Sequence, residues 1–419
     1  MITAKYPPMG WNSWDCYGAA VDEATVRANA DYMAKNLRRY GWEYIVVDIE
    51  WYQPTVMTHE YQPFAELVMD EYGRLLPAEN RFPSAKGGKG FAPLAEYVHS
   101  LGLKFGIHIM RGIPRQAVQE NCPVLGSEFT ARQVAEYNDV CEWNPDMYGL
   151  NYNCKGAADY YNSIFRLYAE WGVDFVKVDD ICRNNDNEGE IILIANAIKN
   201  SGREMVLSLS PGPAKVSQAE FLKKYANMWR ITDDFWDKWE LLYAMFERAE
   251  AWCNHAAPGH FPDCDMLPIG AINQVYSKDN RTAFTPDEQK TMMSLWCMVR
   301  SPLMIGGEMN SFDDFTLSLV TNKELLDIEK KSFCAHMLER KDIDGCETIT
   351  WFAPTIDGSA SYLALFNAGE KPVRISVPLE ALEINATKAY DIWEKTTDNI
   401  SDTVSAVVNP HGVALFKLS

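Results

Sequence analysis

The chain has 419 residues, more than the roughly 250 a single (β/α)8 barrel needs and suited to a barrel with insertions plus a small second domain. Apolar residues make up 47 % and charged residues 23 % of it, the balance of an ordinary globular protein, which excludes extended disorder. The formal charge of -19 repels phosphate backbones and anionic membranes, so the expected partner is neither nucleic acid nor lipid. The opening MITAKYPPMG lacks the apolar centre of a signal peptide, and the expected location is cytoplasmic. Ten cysteines occur without a CxxC pair or zinc-site spacing, so buried free thiols are expected and neither a metal nor a cofactor is.

Met9 to Trp14 reads as the first strand. An amphipathic helix follows from about Asp22 to Tyr40, with Val26, Ala30, Met33 and Leu37 on its apolar face, Asp22 as its cap and Gly41 as its stop. Tyr44 to Val47 is strand two. A long loop rich in Pro, Tyr and Asp then leads to a helix near Pro93 to Leu101; loops of that length commonly shape active sites. Strands three to six are Lys104 to His108, Phe175 to Val178, Met205 to Leu209 and Met228 to Ile231. Strands seven and eight lie near Phe261 to Leu267 and Pro302 to Ile305. Strands alternating with helices predict a (β/α)8 TIM barrel over residues 1–332. From 333 to 419 the pattern changes to alternating segments such as Thr348 to Ala353 and Val413 to Leu418, separated by glycine turns, which predicts a C-terminal antiparallel β-sandwich.

In such a barrel, chemistry sits at the C-terminal ends of the strands. Those ends carry Trp14, Asp48 with Glu50 and Trp51, His108 with Arg111, Lys177 with Asp179 and Asp180, Ser208 with Ser210, Arg230 with Asp233 and Asp234, and Asp263 with Asp265. Carboxylates, bases and indoles in one ring suit a polyol: charged groups bind its hydroxyls and an aromatic floor meets its C–H face. Each residue also has a structural reading. Trp14 and Trp51 could be core, His108 an interior histidine, and Asp180 or Asp233 helix caps. That reading is weaker for Asp179 and Asp234, because a charge closing an apolar strand is costly unless paired or used. Two opposed carboxylates are what glycoside hydrolysis requires.

Seven ordered motifs then carry a resemblance: PPMGWNSWDCYG, EYIVVDIEW, EYGRLLPAENRFP with GLKFGIH, WGVDFVKVDD, WRITDD, PDCDMLPIG and RSPLMIGGEM. They resemble the barrel of glycoside hydrolase family 27, the α-galactosidase and α-N-acetylgalactosaminidase family, and HGVALFKL is similar to the end of that family's C-terminal sandwich. The resemblance implies a retaining, exo-acting hydrolase with no metal and a small carbohydrate substrate. Asp179 falls on the family nucleophile and Asp234 on the acid/base. Lys177, Arg230, Trp14, Asp48 and Asp265 fall on sugar-contacting positions. The chain departs from the α-galactosidase pattern at several sites. Ile49 stands where a second aspartate binds a sugar hydroxyl, between Asp48 and the Glu50–Trp51 pair. His108 replaces a tyrosine, and Leu209, Ser210 and Pro211 replace a Cys-Glu-Trp run. Ile181 replaces a cysteine, which removes the family's disulfide there.

An apolar Ile49 would suit β-L-arabinopyranose, which matches α-D-galactopyranose but lacks its hydroxymethyl group. The expected substrate is therefore an α-D-galactopyranoside or a β-L-arabinopyranoside, with a lean to the pentoside. The alternatives are an α-N-acetylgalactosaminidase and, more remotely, a magnesium-dependent barrel lyase or isomerase using Lys177 as base. A homo-oligomer is compatible with the sequence.

Overall fold

The computed structural model describes residues 3–184 and 187–419. Eight parallel strands form the barrel wall: Met9–Asn12, Tyr44–Val47, Lys104–Met110, Phe175–Asp179, Val206–Leu209, Met228–Arg230, Phe261–Asp263 and Leu303–Ile305. They pair in chain order, and the first also pairs with the eighth. Between the seventh and eighth the chain closes through a parallel bridge from Leu267 to Ile305. The seventh strand ends at Asp263, earlier than the apolar run predicts, because Asp263 and Asp265 turn the backbone out of the sheet; Asp265 has φ +83°.

The barrel wall reads with period two. Tyr44, Val46, Phe175, Val206, Met228 and Met304 form one buried cluster inside the barrel. The alternate residues Ile45, Val47, Val176, Val178, Leu207 and Trp229 belong to the large cluster shared with the helices. The predicted helix after the first strand is present but changes pitch. Its α-helical part is Glu23–Tyr32, capped by the Asp22 side chain on the Thr25 N–H; a π turn at Met33–Leu37 and a 3-10 turn follow, ending at left-handed Gly41.

A small three-stranded sheet (Ile113–Pro114, Met147–Leu150, Ala135–Val140) follows the third strand. It escapes sequence reading because Ala135–Val140 is largely polar and half exposed, which erases the alternation that marks strands. Beyond the last barrel helix, Lys323–Lys331, a six-stranded antiparallel sheet and a two-stranded one form the C-terminal sandwich. Val373–Pro378 alternates strictly between buried and exposed, as a strand with one wet face should. The six-stranded sheet is covered on both sides. Phe352, Leu363 and Leu365 enter the sandwich core, whereas Trp351, Ala364 and Phe366 join the barrel cluster, with Phe366 set edge-on to Phe246 at 5.0 Å.

Candidate active site

The strand ends converge on one pocket lined by Trp14, Asp48, Lys177, Asp179, Arg230, Asp234 and Asp265, together with Asp15, Tyr61, Phe235, Trp236 and Met266. Its position follows from inward strand parity: Lys177 and Asp179 continue the inward series begun by Phe175, and Arg230 continues that of Met228. Three acidic residues just past strand ends, Glu50, Asp180 and Asp265, adopt left-handed φ values of +61°, +58° and +83°. Non-glycine residues rarely adopt this conformation without cost.

Asp48 is buried and accepts hydrogen bonds from Lys177 Nζ at 2.9 Å, Asn12 Nδ2 at 2.7 Å and its neighbour Ile49 N–H at 2.9 Å. Burial alone would raise its carboxyl, but Lys177 and the accompanying donors outweigh burial and lower it. Lys177 is raised in turn: burial pulls it down, and Asp48 and Asp179 more than restore it. Asp179 accepts from His108 Nε2 at 3.1 Å and from the Asp180 N–H at 3.0 Å. Burial opposes its ionisation, yet the His108 hydrogen bond with the Lys177 and Arg230 charges holds it well below the usual carboxylate range. An ionised, oriented carboxylate is what a nucleophile requires.

Across the pocket, Arg230 binds Asp265 through Nη1 and reaches Asp234 Oδ1 at 3.3 Å. Asp234 is 65 % exposed at the mouth, whereas Asp265 is 6 % exposed. Asp265 also accepts the backbone N–H groups of Phe235 at 2.8 Å and Met266 at 2.7 Å, tying the sixth and seventh strand loops together. Burial pushes its carboxyl up to about 7; Arg230 opposes this, while Asp234 and Asp263 add to it.

Four residues expected at the site do not line this pocket. Trp51 is fully buried: its indole N–H donates to the His108 carbonyl at 2.7 Å, and its ring meets Phe91 edge-on at 5.1 Å. It braces the strand-three end from outside the barrel and offers no floor to a ligand. Ile49 is 1 % exposed, directly after Asp48 and in the same apolar cluster as Ile45 and Val47. His108 acts on the pocket through Asp179. Ser210 is buried, with its Oγ lacking a protein partner. Asp180 pairs with Arg111 at 3.1 Å and Asp233 with Arg183.

Sequence reasoning missed Asp15, Tyr61 and Trp236 at the pocket. Asp15 and Trp236 carried a faint signal, since each follows a singled-out residue by one or two positions. Tyr61 had none: it arrives from the long loop to stack on Trp14 at 5.4 Å and 15°. Arg81 fixes that loop by donating to the carbonyls of Glu50 at 2.7 Å, Gln53 at 2.9 Å and Val21 at 2.7 Å.

Residues 149–331 match the family described as alpha galactosidase A, and residues 345–418 match the alpha galactosidase C-terminal beta sandwich domain. The α-galactosidase of Coffea arabica is 28 % identical over 99 % of this chain and 93 % of its own length. The crystal structure of a family 27 β-L-arabinopyranosidase from Geobacillus stearothermophilus superposes with a TM-score of 0.96 at 51 % identity, covering 99 % of this chain and 97 % of that one. The chain belongs to glycoside hydrolase family 27. A Bacillus halodurans protein provisionally described as an α-N-acetylgalactosaminidase is also similar, at 53 % identity and a TM-score of 0.87, over 99 % of this chain and 97 % of that one. Membership makes this protein a glycoside hydrolase acting on a small carbohydrate. The family 27 barrel and sandwich account for both parts of the fold, and among the described residues no helix is long and apolar enough to cross a membrane.

Proposed function

We propose that this family 27 enzyme is a retaining exo-glycosidase that removes terminal β-L-arabinopyranosyl units, with the isosteric α-D-galactopyranosides as secondary substrates. The observation that carries the chemistry is the contrast between two carboxylates of one pocket. Asp179 is only 14 % exposed and is held ionised by His108, Lys177 and Arg230, and Asp234 stands 65 % exposed at the mouth. In this reading Asp179 attacks the anomeric carbon while Asp234 gives its proton to the departing oxygen. Water then enters past Asp234, which takes a proton from it as Asp179 is released, so configuration is preserved over two inversions. Lys177, Asp48, Arg230 and Asp265 hold the sugar hydroxyls, and Trp14 with Tyr61 covers one face of the ring.

Two observations support the pentoside. The Geobacillus stearothermophilus relative, named a β-L-arabinopyranosidase, shares 51 % identity over nearly the whole chain, and a variant of it in complex with arabinose superposes with a TM-score of 0.95. At the same time Ile49, apolar and closely packed behind Asp48, offers no acceptor to an additional hydroxyl. A buried hydroxyl without a partner costs about 1 to 3 kcal/mol.

The test is a panel of nitrophenyl glycosides with and without chelator. The pentoside should give the highest kcat/KM. Ile49→Asp should move the ratio toward the galactoside by roughly tenfold to a hundredfold. A wild-type enzyme that strongly favours α-D-galactosides would replace this reading with that of an α-galactosidase, and activity dependent on added magnesium would remove the two-carboxylate mechanism.

A further inference from the structure

The proton donor's position fixes where the leaving group must lie. If Asp234 protonates the departing oxygen, the aglycone emerges on its side of the pocket, toward solvent. Two residues on from Asp234, Trp236 lines that rim. His59 sits 6.0 Å from Trp236 and 4.5 Å from Trp14, ring centre to ring centre, and is itself nearly buried. Over His59 lies Tyr276, parallel to within 23° at 5.9 Å. The Tyr276 side chain nevertheless remains 56 % exposed.

An exposed aromatic ring on a loose loop needs no explanation, but this loop is tightly held. Asn273 N–H donates to the Asp15 carbonyl and Gln274 N–H to that of Cys16, both at 2.8 Å, which fastens the loop to the segment that carries Trp14. Gln274 Nε2 and Asn280 Nδ2 close the loop on itself, bonding to the carbonyls of Asn280 at 2.9 Å and Asn273 at 3.0 Å. Tyr276 is thus presented beside the mouth before any ligand arrives, and a fixed aromatic surface binds a ring with little loss of conformational entropy.

We propose that Tyr276 and Trp236, with the buried His59 packed behind them as support, form a preformed platform for the aglycone and that its ligand is a pyranose ring lying with its C–H face on the aromatic surface. The proposal rests on the reading of Asp234 as proton donor. The carboxylates of the inner pocket recognise hydroxyls one by one. The platform offers chiefly ring faces, so it selects for the presence of a flat, partly apolar ring and tolerates variation in its substituents.

The experiment compares wild type, Tyr276→Ala and Tyr276→Phe on three glycosides of one glycone: the glycosyl fluoride, the methyl glycoside and a disaccharide with a pyranose aglycone. Tyr276→Ala should lower kcat/KM for the disaccharide, relative to the fluoride, by about two- to twelvefold, and Tyr276→Phe should restore it. The methyl glycoside should follow the fluoride. Equal loss on all three substrates would make Tyr276 a support of the inner pocket and overturn the platform, as would no loss on the disaccharide. Loss confined to a nitrophenyl glycoside run alongside would overturn the pyranose assignment. A change in sedimenting mass with Tyr276→Ala would mean that a second copy of the chain covers the ring, and the proposal would fall. The Asp234 reading is tested separately by Asp234→Ala, which should retain kcat/KM for the fluoride, whose departure needs no proton donor, while kcat falls because the same residue is the base that releases Asp179; loss of kcat/KM there would remove the premise while leaving the Tyr276 comparison intact.

Discussion

The two ends of the barrel treat charge in opposite ways. At the N-terminal end a cleft holding about 1190 Å³ of free space is lined by Lys5, Lys104 and Lys330 and by Glu43, Asp174 and Glu204, cations and acids in equal number. The partners there are met in the open: Lys104 binds Glu43 at 2.7 Å with both side chains over two-fifths exposed. At the C-terminal end a pocket of about 360 Å³ is lined by five aspartates against Lys177 and Arg230 alone. The larger cavity has balanced charge, so no carboxylate there is left in excess. The smaller one has an excess of buried carboxylate, which must be met by protons or by a ligand's hydroxyls.

The largest effects should follow from removing the two carboxylates assigned to the reaction. Asp179→Ala should abolish turnover, and added azide should restore it with a product of inverted configuration. Asp234→Ala should lose roughly 10²- to 10⁴-fold on poor leaving groups while keeping activity on good ones. Anomer-resolved NMR of the products checks both.

Next comes the buried pair. Lys177→Met leaves Asp48 without its counter-charge and should cost about 3 to 5 kcal/mol in denaturant unfolding at neutral pH. The exposed pair at the other end sets the scale: Glu43→Gln should cost no more than about 1 kcal/mol, and less in high salt. Equal losses at the two ends would contradict the contrast between them.

A smaller and pH-dependent effect is expected at Glu50. Its carboxylate is fully buried, and beyond a long contact from the Gln62 N–H neither oxygen is hydrogen-bonded. Burial first, and Asp146 after it, push the group up to about 7 from an ordinary value of 4.5, against the opposing charge of Arg81. The folded state therefore holds this proton more tightly than the unfolded chain. Its contribution is fully present below about pH 4.5 and is lost as pH rises through 7. Glu50→Gln should accordingly gain up to about 3 kcal/mol at pH 8 and nothing at pH 4. Unfolding curves at the two pH values measure the difference.

Much of this was legible in the sequence because strands of a barrel announce themselves and their ends are ordered along the chain. Asp48, Lys177, Asp179, Arg230 and Asp265 each sit at or just past an apolar run, and the fold brings all five to one pocket. Trp51 closes an apolar run like the others, yet its indole is fully buried against Phe91 and donates to the His108 carbonyl. The strand stops at Val47 and Glu50 turns left-handed, so the alternation of a strand does not carry past Asp48 to place it. Tyr61 and His59 were beyond reach for another reason. They come from a loop whose path is set by distant contacts, Arg81 bonding to three backbone carbonyls among them, and no local pattern encodes such contacts.

The central claim is that Asp179 becomes covalently attached to the sugar. A 2-deoxy-2-fluoro β-L-arabinopyranosyl fluoride should slow release more than attachment and trap that species, because the fluorine destabilises both oxocarbenium-like transition states while fluoride remains a good leaving group. After digestion, mass spectrometry should find the glycosyl mass on the peptide containing Phe175 to Asp179, at Asp179. A label on Asp234 or on any other carboxylate, or inverted product released without a trapped species, would contradict the account.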